Sequence, residues 1–379
     1  MKYYLIAGEA SGDLHGSNLI TGLIQADPQA QMRFWGGDLM KAACPDGTLV
    51  RHYKDGAVMG IAEVLSKAGK LMRNVSDCKR DIAAWGPDVI ILIDYPGFNF
   101  KIAKWAHKAG IKVFYYIAPK TWASREGRNR KLKAWVDRLF IVFPFEIPYF
   151  ESRGIPFTYK GNPLLDAVDN HDYSPVTDKP YIAVLAGSRQ AEIKRMMPVC
   201  MEAAVRLLDK DPSLHFIVAG APSRSLQDYT PHIPDKLKSR VEVIFDRTYD
   251  VLKYARAAVI NSGTASLEAA LIGTPQVVGW STSRLTYQVA LHILKVGKHI
   301  RYISLGNLII DKGAFRELIQ DEFTAGAVSG EIGRLLDDGA YREKMLDDYA
   351  DIRAALGGSG ASLAVARAMY HSLKDAYRK

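Results

Sequence analysis

The sequence predicts an α/β protein made of two doubly wound, parallel-sheet halves and a helical tail. Three observations carry this. Short β-branched runs such as Val89–Ile93 and Tyr181–Ala186 lack polar alternation, as strands buried on both faces require. Amphipathic stretches separate them, giving the strand–helix–strand rhythm of parallel crossovers. The rhythm lapses at Asn170–Pro180, a polar stretch with two prolines, and then restarts.

In the first half, strands are expected at Tyr3–Ala7, Arg33–Gly36, Val89–Ile93, Val113–Ile117 and Leu139–Phe143. Helical patterns lie at Leu14–Ala26, Ile61–Ala84, Ile102–Ala109 and Glu126–Trp135. In the second half, strands fit Tyr181–Ala186, Leu214–Ala219, Val241–Phe245, Ala258–Asn261 and Gln276–Gly279. Helices fit Ala191–Asp209, Thr248–Ala255, Thr264–Ile272 and Leu285–Lys295. From about Glu322 onward only helical patterns remain. Gly357-Gly358-Ser359-Gly360 breaks them before a last amphipathic helix, Ala361–Ala376. That helix must bury its apolar side on the first domain or on another subunit. The expected domains are 1–169 and 181–340, with a linker at 170–180 and a tail at 341–379. Two such sheets imply a cleft, with ligands beyond the carboxyl ends of the strands.

With 379 residues, 48% hydrophobic and 24% charged, the chain is globular and neither disordered nor fibrous. Its first apolar run is too short for a signal segment and meets Glu9 and Asp13 at once. No apolar run reaches the roughly 18 residues of a spanning helix. Cys44, Cys78 and Cys200 have no metal-type spacing and read as buried thiols in a reducing, cytosolic compartment. Nine scattered His residues form no H-E-x-x-H or paired Cys/His pattern, so no protein-held metal is expected. The net charge is +9. Lys101–Arg138 carries all of it, with seven Lys and four Arg against Glu126 and Asp137. This segment is either a solvated helical face or a surface for a negatively charged partner.

Four turns attract attention. Gly8-Glu9-Ala10-Ser11-Gly12-Asp13 joins the first strand to a helix, where backbone N–H groups suit an anion; the alternative is a tight turn capped by Ser11 or Asp13. Its glycines do not match G-x-G-x-x-G, which disfavours a nicotinamide oxidoreductase, and no G-x4-G-K-[ST] loop occurs. His15 lies close enough to this loop to reach a phosphate, although a lone His is more often structural. Asp94 follows the buried strand Val89–Ile93, where desolvation makes a carboxylate a better base; otherwise it caps the next helix. In Gly187-Ser188-Arg189, Arg189 either grips a phosphate or pairs with Glu192. In Asn261–Glu268, Ser262, Gly263 and Thr264 suit a diphosphate at a helix start. Glu268, one turn on, either accepts ribose hydroxyls or is an ordinary surface acid.

These stretches occur in order with Val58–Val64, Ile93–Asn99, Phe143–Glu146, Asn307 and Glu317–Gln320. The ordered set resembles the lipid-A-disaccharide synthases, glycosyltransferase family 19, over residues 1 to about 370. The resemblance implies a GT-B fold and an inverting transfer without a metal cofactor. UDP-2,3-diacylglucosamine would be the donor and 2,3-diacylglucosamine 1-phosphate the acceptor. It further implies a peripheral position on the inner face of the cytoplasmic membrane and dimers that exchange C-terminal segments. By position, Asp94 matches the general base. Arg189, Ser262, Gly263, Thr264, Glu268, Asn307 and Gln320 match the UDP-sugar region. Gly8, Glu9, Ser11, Gly12 and Asp13, with His15 nearby, match the acceptor loop. Gly97 stands where many members have a second acid. Lys120–Ser124 departs from the common Val-Trp-Ala-Trp pattern, and Asn162 replaces a common His.

Under the same resemblance, Lys131, Lys133 and Trp135 of the basic, aromatic-bearing segment become candidates for docking anionic lipid. Two other readings differ in class. One is another GT-B enzyme, such as a UDP-N-acetylglucosamine 2-epimerase or a peptidoglycan-precursor transferase. The other is a basic nucleic-acid-binding protein, for which base-reading motifs are absent.

Overall fold

The structure, a computed structural model, describes residues 1–56, 63–122, 126–283 and 301–377. The expected helix Leu285–Lys295, residues 58–62 of the Val58–Val64 motif, and Ala123 and Ser124 lie outside the described residues. The chain forms two compact units, Met1–Ala167 with Gly358–Lys379, and Val168–Gly357.

The first unit holds a seven-stranded parallel sheet. Its strands are β1 (Lys2–Ala7), β2 (Gln31–Gly36), β3 (Thr48–His52), β4 (Val89–Ile93), β5 (Lys112–Tyr116), β6 (Arg138–Ile141) and β7 (Thr158–Tyr159), in the order β3-β2-β1-β4-β5-β6-β7. Every residue of β4 is fully buried, which explains its unbroken apolar run. Helices α1 (Ala10–Ala26), α2 (Asp38–Ala43), α3 (Glu63–Trp85), α4 (Pro96–Lys108), α5 (Arg128–Trp135), α6 (Glu146–Glu151) and α7 (Pro163–Asp169) complete the crossovers. Helix α4 begins at Pro96, six residues before the expected start at Ile102, because proline's fixed φ suits a first helical position.

The second unit holds six parallel strands. They are β8 (Tyr181–Leu185), β9 (His215–Gly220), β10 (Val241–Phe245), β11 (Ala257–Asn261), β12 (Gln276–Trp280) and β13 (Glu317–Ile319), ordered β10-β9-β8-β11-β12-β13. Around them lie α8 (Gln190–Leu208), α9 (Thr248–Lys253), α10 (Thr264–Ile272), α11 (Leu305–Ile310), α12 (Ala325–Asp337) and α13 (Gly339–Leu356). The expected linker is part of this unit. Asp250 accepts the Ser174 N–H at 3.0 Å and lies 3.1 Å from His171 Nε2, while Arg247 donates to Ser174.

The expected tail divides. Helix α13 belongs to the second unit, and only α14 (Ala361–Tyr377) packs in the first, along α1. Asp166 accepts the N–H groups of Gly360 and Ser362, the latter at 2.8 Å, and so caps α14. At the crossing, a Cβ on Gly22 would lie 3.0 Å from Ala366 Cβ and 3.1 Å from the Ser362 carbonyl oxygen. Among the described residues no helix is long and apolar enough to cross a membrane.

One acid is fully buried beside the sheet. Glu146 accepts the N–H groups of Val142 and Phe143 at 3.2 and 3.1 Å, finishing β6 and starting α6. Burial raises its carboxyl to about 7, against the lowering influence of those amides, Trp122 and Lys120. A raised carboxyl stabilises the fold most below its unfolded value, and that contribution disappears as pH rises through about 7.

Two outcomes follow from this packing. Glu146→Gln should gain stability over the unsubstituted chain between pH 5 and pH 8, on the order of 2–3 kcal/mol, in urea unfolding at both pH values. Gly22→Leu should destabilise by about 1–3 kcal/mol, seen as a lower thermal midpoint and faster proteolysis within α14.

Candidate active site

In both sheets the strand order reverses at one place, between β1 and β4 and between β8 and β11. Adjacent strands there send their following loops to opposite faces, which opens a crevice at their carboxyl ends. The four turns singled out by sequence follow these four strands.

In the first unit, Asp94 and Tyr95 leave β4 with φ of 43° and 44°, a left-handed pair that is costly for side-chain-bearing residues. The surroundings hold it in place. The Asp94 carbonyl accepts from Asn99 Nδ2 at 2.7 Å and from the Tyr115 hydroxyl at 2.6 Å, while its N–H donates to Tyr116 at 3.1 Å. These bonds fix the backbone at Asp94 through its own carbonyl and N–H, while the carboxylate accepts the Tyr95 N–H. Burial raises the Asp94 carboxyl above its ordinary value and Glu9 adds to this; Lys120, the Tyr95 N–H and Arg128 oppose it. Gly8 is needed beneath Tyr95, since a Cβ there would lie 2.3 Å from the ring. Glu9 and Ser11 are exposed beside it, and Gly12 packs on Ala7.

Two expectations for this loop change. Helix α1 starts at Ala10, so Ser11, Gly12 and Asp13 are helical. Asp13 turns inward and accepts the N–H groups of Gly37, Leu39 and Met40 at 2.7, 3.1 and 3.1 Å, capping α2 in place of touching a ligand. His15 is enclosed and its burial lowers its pKa to about 4, so it is a neutral interior ring and not a phosphate contact. Gly97 is exposed on the first turn of α4 with open space around it, so Asp94 stands without the second acid. Asn162 is buried and caps α7, donating to Val142 and accepting the Leu164 N–H, both at 2.9 Å. Lys120, within a stretch that departs from the common family pattern, is a charged neighbour that bears on both Asp94 and Glu146.

In the second unit, Arg189 makes the pair that its spacing allowed: its Nη1 donates to Glu192 Oε1 at 3.0 Å. Glu192 Oε2 also accepts the Ser188 and Arg189 N–H groups, each at 3.1 Å, so a carboxylate already occupies the anion position of α8. Helix α10 differs. Its Gly263 cap has no side-chain hydrogen bond, and Ser266 turns its hydroxyl back to the Gly263 carbonyl at 2.9 Å. Ser262, Gly263 and Thr264 are partly exposed at this positively polarised helix start. Glu268, one turn on, accepts from the Tyr249 hydroxyl at 2.9 Å, and burial raises its carboxyl against that bond.

Asn307 and Gln320 both make bonds within the unit. Asn307 is fully buried; it donates to Phe315 and Glu317 and accepts from Ala314 and Phe315, at 2.9–3.3 Å. Gln320 clasps Thr282 with both ends of its amide, at 2.6 and 3.1 Å. Asn307 thus holds the turn that leads into β13, and Gln320 ties the end of β13 to the loop after β12. On the basic segment, Lys131 and Lys133 are exposed, but Trp135 is half-buried against Phe100 and covered by Lys104, 5.6 Å from its ring. Among the described residues no group of three or more His, Cys, Asp or Glu is arranged to hold a metal.

Comparison with known proteins agrees with this layout. The family model described as lipid-A-disaccharide synthetase matches residues 3–364. The lipid-A-disaccharide synthase of Geobacter metallireducens is 39% identical, over 96% of this chain and 95% of its own. That of Myxococcus xanthus is 34% identical, over 98% and 97%. Among solved structures, the UDP-GlcNAc 2-epimerase from Neisseria meningitidis bound to UDP-GlcNAc superposes with a TM-score of 0.70 at 14% identity, covering 98% of this chain and all of that one. The S. aureus MnaA–UDP structure gives 0.70 at 15%, over 98% and 97%. At such identities these two establish the shared GT-B architecture alone. The full-length match at sequence level goes further: this chain belongs to the lipid-A-disaccharide synthase family.

Proposed function

We propose that the chain is an inverting glycosyltransferase of lipid A biosynthesis. It condenses UDP-2,3-diacylglucosamine with 2,3-diacylglucosamine 1-phosphate, forming the β-1,6 disaccharide 1-phosphate and UDP. The observation that carries the reading is the family match over nearly the whole chain, joined to a carboxylate held at the first switch point.

Asp94 takes the proton from the acceptor 6-hydroxyl as that oxygen attacks the anomeric carbon. The bond from that carbon to the diphosphate breaks on the opposite face, and its electron pair leaves with UDP. A carboxyl raised by burial is a better base than an ordinary one. Lys120 and Arg128 supply positive charge around it, suited to an acceptor that carries a phosphate. The departing diphosphate is stabilised by the α10 start at Ser262–Thr264 and by Arg189, which exchanges Glu192 for the nucleotide. Glu268 accepts the ribose hydroxyls. The acylated substrates lie at the inner membrane surface, and the exposed Lys131 and Lys133 draw the protein to anionic lipid. A homodimer with exchanged α14 helices belongs to the same reading.

Asp94→Asn should lower kcat about 10²–10⁴-fold with an unchanged thermal midpoint, in a UDP-release assay with both acylated substrates. Turnover close to normal would remove Asp94 as the base. The same assay with non-acylated acceptors separates this activity from that of other UDP-sugar enzymes. Replacing Lys131 and Lys133 together with Gln should weaken co-sedimentation with vesicles containing phosphatidylglycerol, by about 1 kcal/mol per charge, and leave binding to neutral vesicles unchanged.

A further inference from the structure

The Glu268 carboxylate does not stand alone. The Tyr249 hydroxyl donates to its Oε1 at 2.9 Å. Two influences act on the Glu268 carboxyl: burial, which favours the protonated form, and this hydrogen bond, which favours the ionised one. The tyrosine's own ionisation is pushed far upward by burial and by the neighbouring carboxylate, so the phenol remains a donor.

Tyr249 is itself held. Its ring meets that of His171 edge-on, with centroids 5.3 Å apart and planes at 70°. His171 Nε2 lies 3.1 Å from Asp250 Oδ1, and Asp250 is fixed by the Ser174 N–H at 3.0 Å and by Arg247 Nε at 2.9 Å. The segment from His171 to Ser174 and helix α9 thus form one support behind a single phenol. A carboxylate has about four acceptor positions. Tyr249 fills one and fixes the plane of the group, and the rest remain for a ligand's hydroxyls.

We infer that Tyr249 is a positioning residue for nucleotide recognition, holding the Glu268 carboxylate oriented toward the vicinal hydroxyls of the donor's ribose. This rests on the assignment of Glu268 to the ribose made above. A hydrogen bond to a charged group contributes enough that its loss should be readable in affinity. Because the ribose is distant from the breaking bond, the loss should fall on donor binding and not on the chemical step.

The test uses the full chain, with UDP and 2′,3′-dideoxy-UDP as probes in calorimetric titration. Tyr249→Phe should weaken UDP binding about tenfold and leave dideoxy-UDP binding unchanged. In steady state, KM for the acylated donor should rise by a similar factor without a matching fall in kcat. Glu268→Ala should erase the preference for UDP over its dideoxy analogue. Equal weakening of both nucleotides by Tyr249→Phe would mean a general packing defect and overturn the inference. Unchanged UDP binding by Tyr249→Phe, with Glu268→Ala still erasing the preference, would also overturn it while sparing the ribose assignment. If Glu268→Ala keeps the preference, the ribose assignment itself fails and the inference with it.

Discussion

A parallel sheet whose strand order reverses imposes one demand that the rest of this molecule meets. Beyond β1, β4, β8 and β11 the ladder ends, and the first polar groups of each loop need new partners. Side chains supply them: Asn99 and Tyr115 on the Asp94 carbonyl after β4, and Glu192 on the Ser188 and Arg189 N–H groups after β8. It is on the side chains of Asp94 and Glu268, beyond the ends of two of these strands, that the proposed function draws. The left-handed pair at Asp94 and Tyr95 persists because these bonds over-determine it.

The two units solve the same crevice differently. The first gathers side-chain charges of both signs around Asp94: Glu9, Lys120 and Arg128. The second offers mainly a helix start, at α10, without a capping side chain. Its other helix start, at α8, is self-satisfied through Glu192. Under the proposed function, an incoming diphosphate would meet the α10 start directly and would compete with Glu192 for Arg189.

The central strands were legible because burial on both faces leaves no polar alternation in Val89–Ile93 or Ala257–Asn261. The strands β3, β7 and β13 were not, since these short strands carry half-exposed side chains and lack such a run. The glycine- and acid-bearing turns fall at the ends of the four strands that flank the two reversals of strand order. The work of individual side chains in them was less visible. Asp13 looks like a loop acid until α2, at Gly37–Met40, is folded against it. Asn307 matches a family position, but only the fold reveals that all its bonds turn inward. Tyr249 carries no local signal, because its partner is 19 residues away on another helix.

Helix α14 has a consequence for the order in which the protein is made. The first unit draws its parts from residues 1–167 and from 358 onward, so a ribosome must finish the whole second unit before α14 exists. Until then the face of α1 around Gly22, and the Asp166 carboxylate that caps α14, have no partner from that helix. The earliest-translated unit is therefore the last to be completed, and its closure is a contact of very high sequence separation, the kind that forms slowly. During synthesis the second unit can close as a continuous stretch of chain while the first waits with one side uncovered.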